Sequence, residues 1–370
     1  MRSEPRSFAL HVPEAQLADL RERLARTRLP DEPPLEPWST GTSLAFVREL
    51  LEHWQTRFDW RSQEAKLNRF RQFTLQLQGI EVHFIHEPGR GPAPMPLLLS
   101  HGWPGSVWEF NRLIPLLTER FTVVAPSLPG YTLSFRPGQP RFSVEDIAAC
   151  FAELMGVLGY QRYGAQGGDW GAFVTSVLAL KHPERLTGIH LNLLAVRRDP
   201  KEAPRSPEEA AYLEELAHFL KERTGYQWIQ GTRPQTLAYA LTDSPAGLAA
   251  WIAEKFWEWT DHDGRPQSAV SLDDMLTNIS LYWFSGAIGS SFWPYYARMH
   301  SPWPIPQGST IDVPTAYAEF PKEILRPPRS LAARTYTDIR RWTAMARGGH
   351  FAALEQPEAL AQDIKSFFAR

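Results

Sequence analysis

A single cysteine, Cys150, stands in 370 residues. One thiol cannot close an internal disulfide, and its place in the helix-like run 144–158 marks it as a core thiol. Long apolar runs are missing too. The run 96–100 is far too short to cross a bilayer, which takes about 20 residues. Residues 1–13 carry charges and prolines and hold no apolar stretch of signal-peptide length. The chain is therefore expected to be soluble and cytoplasmic, without a membrane anchor. An excess of one charge is also absent: 39 Lys and Arg face 41 Asp and Glu, for a net charge of −2. Such a surface has nothing to hold nucleic acid or an anionic membrane. There is no phosphate-binding glycine loop, no internal repeat and no low-complexity segment. The segment His83-Phe84-Ile85-His86 puts its two imidazoles on opposite faces of a strand, and no further ligand cluster accompanies it. Neither a metal nor a cofactor is expected.

What the chain does have is aromatic bulk, 14 Trp and 20 Phe, which fills cores and lines apolar pockets. Its organisation reads in four parts. Residues 1–70 are a helical, proline-punctuated lead-in. Leu17, Leu20 and Leu24 follow Pro13 at helical spacing, and Leu44, Val47, Leu50, Leu51 and Trp54 share one face of the run 43–58. These amphipathic helices are expected to wrap around the catalytic domain.

Residues 71–195 alternate strand and helix. A hairpin is predicted over 72–78 and 80–85 around Gly79, buried strands over 96–100, 121–125 and 163–166, and helices over 106–118, 144–158 and 172–181. Residues 196–300 break this rhythm as a helical, aromatic-rich insertion that would form a cap. The rhythm resumes over 301–370, with strands at 312–318 and 331–335 and a final helix at 357–368. The fold class is α/β, a mostly parallel sheet with helices on both faces.

Three motifs carry chemistry. Gly167-Gly168-Asp169-Trp170-Gly171 has the small flanking residues of a strand-to-helix turn that presents its central residue as a nucleophile. The central residue is Asp, so attack would leave an ester that water must later cleave. His101-Gly102-Trp103-Pro104-Gly105 directly follows the strand at 96–100. There the backbone N–H of Trp103 would join that of Trp170 in an oxyanion hole. Gly348-Gly349-His350-Phe351 comes late in the chain, where a histidine base belongs if a carboxylate holds its other nitrogen. Asp312, Glu319, Glu323 and Asp338 are the candidates for that acid. Glu323 lies in the loop beyond the strand at 312–318, and Glu319 is its rival.

Taken together, these motifs resemble the microsomal-type epoxide hydrolases, including the juvenile-hormone epoxide hydrolases, of the α/β-hydrolase superfamily. The likeness also takes in 8–30, 58–73, 225–256, Phe320-Pro321-Lys322-Glu323 and 348–355. It implies the α/β-hydrolase fold with an N-terminal extension and a cap. It further implies Asp169 as nucleophile, His350 as base, Glu323 as the orienting acid, and two cap tyrosines that protonate the epoxide oxygen. Tyr226 matches the first tyrosine. Tyr295, with Tyr296 beside it, matches the second. The expected partners are an apolar epoxide and water, the expected product is a vicinal diol, and the oligomeric state is left open. Two other readings compete: a haloalkane dehalogenase with Trp103 and Trp170 on the halide, and a catalytically silent ligand carrier.

Overall fold

The computed structural model describes residues 4–196 and 202–369. Nine strands form one sheet: β1 Arg6–Phe8, β2 Gln72–Leu77, β3 Ile80–Glu87, β4 Met95–Ser100, β5 Phe121–Pro126, β6 Tyr163–Gly167, β7 Leu186–Leu191, β8 Thr315–Glu319 and β9 Ile339–Ala344. Their order is β1-β2-β3-β5-β4-β6-β7-β8-β9. The first three strands and the β3–β5 pair are antiparallel, and everything from β5 to β9 is parallel. Strands β4 and β5 read as unbroken apolar runs because helices cover both faces of a parallel sheet. Leu97, Leu98, Leu99, Val123 and Val124 are all fully buried.

Chain order reverses at β4, with β5 on one side and β6 on the other. Ligands of parallel α/β sheets collect at the carboxyl ends of the strands beside such a switch point. The loops after β4 and β6 meet there.

Several expected elements differ in form. The helix predicted at 106–118 is a 3-10 turn, Val107–Phe110, followed by a short helix, Leu113–Leu117. Pro115 donates no N–H, and its ring clashes with the carbonyl four residues earlier, so one continuous helix is not available. The strand expected at 331–335 is instead the helix Arg329–Ala332, and the last strand is β9. As an edge strand β9 is half-exposed and carries Arg340 and Arg341, which hides its apolar signal. β1, β7 and the helix Trp60–Leu67 are additional elements.

Between β7 and β8 the chain is helical, from Pro207–Glu222 to Trp293–His300. The expected start of this insertion at 196 borders residues 197–201, which lie outside the described residues, as do 1–3. The lead-in touches both parts of the molecule. β1 pairs with the sheet edge at β2. The lead-in helices Glu14–Ala25 and Leu44–Thr56 pack on insertion helices Pro245–Trp259 and Leu272–Ser285.

His83 is buried and bonds Ser127 and Gln72, whereas His86 bonds Tyr160. Among the described residues no group of three His, Cys, Asp or Glu could hold a metal, and no helix is long and apolar enough to cross a membrane. Cys150 is buried in the helix Val144–Val157.

Candidate active site

β6 ends at Gly167 and the next helix, Trp170–Lys181, begins three residues later. The chain must therefore reverse within Gly168 and Asp169. Asp169 takes φ 49° and ψ −130°, a conformation that costs a non-glycine residue about 1–3 kcal/mol. Two glycines make room for the turn. A Cβ on Gly167 would fall 2.2 Å from the Gly171 carbonyl oxygen, and one on Gly171 would fall 1.9 Å from that of Ser100. The turn thus holds a carboxylate at the positive end of a 12-residue helix.

The loop after β4 faces this carboxylate. Trp103 N–H donates to Asp169 Oδ1 at 2.7 Å. Trp170 heads its helix, where the first N–H groups have no intrahelical acceptor, so its amide is a second donor. The loop is clamped from several sides. Asn278 Nδ2 donates to Pro104 O at 2.7 Å, Tyr282 Oη donates to Gly105 O at 2.8 Å, and the Trp103–Pro104 bond is cis. His101 Nε2 accepts from Leu128 N at 3.1 Å, so Nδ1 carries the proton and donates to Gly102 O at 3.0 Å. Burial pushes this imidazole down to about 4, against the pull of Gly102 and Asp169. His101 is a neutral brace.

His350 Nε2 lies 3.5 Å from Asp169 Oδ2, and His350 Nδ1 lies 2.6 Å from Glu323 Oε1. The loops carrying His350 and Glu323 are joined by a bridge between Lys322 and Gly349, which sets that contact. Burial works against charge on His350, but Glu323 and Asp169 outweigh it and hold its pKa well above the ordinary value. The other acid candidates point elsewhere. Glu319 Oε2 accepts from Trp342 Nε1 at 2.9 Å, Asp312 bonds Thr337, and Asp338 pairs with Arg340.

Two phenols enter from the insertion. Tyr226 lies on the helix Gly225–Thr232 and Tyr295 on Trp293–His300, with ring centroids 5.7 Å apart. Tyr226 stacks on Trp103 at 5.4 Å, and Tyr295 meets Trp170 edge-on at 4.8 Å. Burial first raises both phenol pKa values; Asp169 adds to the rise at Tyr226, and Tyr226 and then Asp169 add to it at Tyr295. Both are therefore neutral donors at ordinary pH. Tyr296 turns away and stacks on His300 at 4.0 Å. Asp169, Tyr226 and Tyr295 line one cavity of about 270 Å³, walled by Phe173, Leu194, Phe219, Leu220, Trp303 and Ile324.

A carboxylate, an acid-backed imidazole, two amide donors and two facing phenols suit the opening of a strained ring and hydrolysis of the resulting ester. Comparisons with known proteins give the family. Residues 5–110 match the family model "Epoxide hydrolase N terminus", and residues 95–229 match "alpha/beta hydrolase fold". Epoxide hydrolase 1 of Sus scrofa is 36% identical, over 98% of this chain and 88% of that protein. The chain belongs to the epoxide hydrolase family. Among solved structures, the Aspergillus niger epoxide hydrolase matches with TM-score 0.86 and 32% identity, over 99% of this chain and 96% of that one. The juvenile hormone epoxide hydrolase of the silkworm Bombyx mori matches with TM-score 0.90 and 31% identity, over 99% and 94%. The activity is that of an epoxide hydrolase, and the dehalogenase and carrier readings fall away.

Sequence reasoning passes over Glu109 and Arg298. Glu109 lines a second, small cavity with Asp169 and His350. Its signal is an acid four residues past Gly105 in an otherwise apolar turn, Val107–Phe110. Arg298 lines the larger cavity one helical turn beyond Tyr295. It carries no motif, and only the helix's orientation brings it in.

Proposed function

We propose that the enzyme converts an apolar epoxide to a vicinal diol through an ester on Asp169. The observation that carries this reading is the unequal setting of the two carboxylate oxygens. Oδ1 is already seated on the Trp103 amide at 2.7 Å, while Oδ2 has no amide donor among the described residues and lies 3.5 Å from His350 Nε2, on a residue that lines the aromatic-walled cavity with Tyr226 and Tyr295. Oδ2 attacks a ring carbon, the C–O bond breaks, and one of the phenols gives its proton to the departing oxygen. A neutral phenol suits this step because an alkoxide is a far stronger base than a phenolate. Solvent then restores the phenol's proton.

Ester formation removes the negative charge of Asp169, which is one of the causes that keep His350 protonated. His350 then releases its proton more readily and can serve as the base, with Glu323 fixing its orientation. It takes a proton from water as the water oxygen bonds to the ester carbon. The new oxyanion is Oδ1, still on the amides of Trp103 and Trp170. Collapse expels the diol oxygen, which receives the proton from His350.

Single-turnover hydrolysis in heavy-oxygen water tests the scheme. The first diol should carry its new oxygen from the Asp169 carboxylate, and solvent label should enter the protein. Solvent label in the first diol rejects the ester.

A further inference from the structure

Asp169 separates two cavities and is the one residue that lines both. The larger, aromatic one receives the phenols. The smaller has an otherwise different lining and measures about 20 Å³, room for a single water, which needs about 10–15 Å³. His101, Glu109, Gln166, Asp169, Asn192 and His350 give it its polar lining. Most of these groups are committed elsewhere. Both His101 nitrogens are bonded to backbone, and Gln166 Nε2 is spent on Asn192. His350 Nδ1 is spent on Glu323, which leaves Nε2 turned to Asp169.

Ser100 Oγ and Gln166 Oε1 line the cavity without a partner among the described residues and can also bond a water, but of these groups the Glu109 carboxyl is the one that interacts with both Asp169 and His350. It is half-buried, with the Ser106 amide at its side. Burial pushes it up to about 8, His350 opposing and Asp169 adding to the rise, so all three groups sense one another. The chain also makes room for it: a Cβ on Gly105 would lie 1.4 Å from Glu109 Oε1. Only a residue without a side chain at 105 lets the carboxyl reach this place.

We propose that Glu109 holds the hydrolytic water, accepting one of its O–H groups while His350 Nε2 accepts the other. The inference rests on Asp169 being the esterified nucleophile. With both hydrogens directed, a lone pair of the water points at Cγ of the ester. Glu109 takes no net proton, because a carboxyl oxygen accepts a hydrogen bond in either protonation state. Substrate and water thus reach Asp169 through different cavities, and the alkyl group held in the ester need not move before water attacks.

The test is rapid-quench single-turnover kinetics with an aryl epoxide, measuring ester formation and ester breakdown separately for the wild type, Glu109→Leu, which removes the acceptor, and Gly105→Ala. In both variants ester formation should stay within about twofold of the wild type. Breakdown should slow by about 10²-fold, the scale set by a misplaced reactant, so that the ester accumulates as a mass adduct. Gly105→Ala leaves the carboxyl in the protein but evicts it from the cavity, so it decides the matter even if Glu109→Leu fails to fold. Wild-type breakdown in either folded variant overturns the proposal, as does an equal fall in both steps. A wild type that forms no ester at all refutes the reading of Asp169 instead.

Discussion

Each phenol has its own wall: Tyr226 stacks on Trp103 and Tyr295 stands edge-on to Trp170, so removing one hydroxyl leaves the other in place. Tyr226→Phe and Tyr295→Phe should each slow ester formation and spare ester breakdown. The double variant should approach the full value of acid catalysis, about 10²–10⁴-fold, and rapid-quench measurement of the first step checks this. In the proposed mechanism Glu323 acts on the other step. Its Oε1 meets His350 Nδ1 at 2.6 Å, so Glu323→Gln should slow breakdown on the order of 10⁴-fold by losing the hold on the ring. It also removes a charge that raises the His350 pKa. His350 acts as a base when neutral, so the acid limb of the breakdown profile should move to lower pH. Sequence motifs leave Tyr295 with Tyr296 beside it and Glu323 with a rival four positions away at Glu319. Neighbours on a helix point about 100° apart, so only one of Tyr295 and Tyr296 can face the cavity, and no local pattern says which. Glu319 and Glu323 differ likewise in where a turn aims them: one meets Trp342 and the other His350.

Elements are legible where their pattern is strong and local. The hairpin of β2 and β3 turns at Gln78 and Gly79, both with positive φ, and the alternating residues on either side announce it. β9 is not legible, because its fixing contacts are remote. Arg341 and Thr343 bond Asp363 on the final helix, Pro357–Phe367, and Asp363 also bonds His190 on β7. This buried network staples the last helix to the sheet. Burial alone would raise the Asp363 pKa, but His190 and Arg341 outweigh it and hold it down to about 2. An unfolded aspartate titrates near about 4. The stabilisation is therefore complete above about pH 4 and is lost as the pH falls toward 2. Asp363→Ala takes the acceptor from the half-buried Arg341 guanidinium and the buried His190 nitrogen and should cost about 1–3 kcal/mol at pH 7. Denaturant unfolding at pH 7 and pH 3 should show the gap from wild type narrowing in acid. A gap that is constant or wider at pH 3 would refute the network's role.

At the scale of the molecule, the groups of the proposed mechanism are split between two parts of the structure. Asp169, Glu323 and His350 stand on loops at the ends of sheet strands, whereas Tyr226 and Tyr295 stand on inserted helices. In the proposed mechanism ring opening needs both sets in register, and ester breakdown needs the sheet set with its clamped loops. The lead-in ties the two together. It adds β1 to the sheet edge and grips the insertion through Arg23 on Asp243, Thr42 on the Ala250 carbonyl, His53 on Asp273 and Trp38 stacked on Trp257 at 4.4 Å. Amphipathic periodicity shows that these helices must pack on something. It cannot show that their main partner is another run of helices more than 180 residues away. If the grip keeps the phenols in register, Trp38→Ala should slow ring opening by about 10- to 100-fold, the cost of a small misplacement, and leave breakdown of a preformed ester near the wild-type rate. Equal slowing of both steps would mean that the lead-in supports stability in general and not the alignment of phenol with carboxylate.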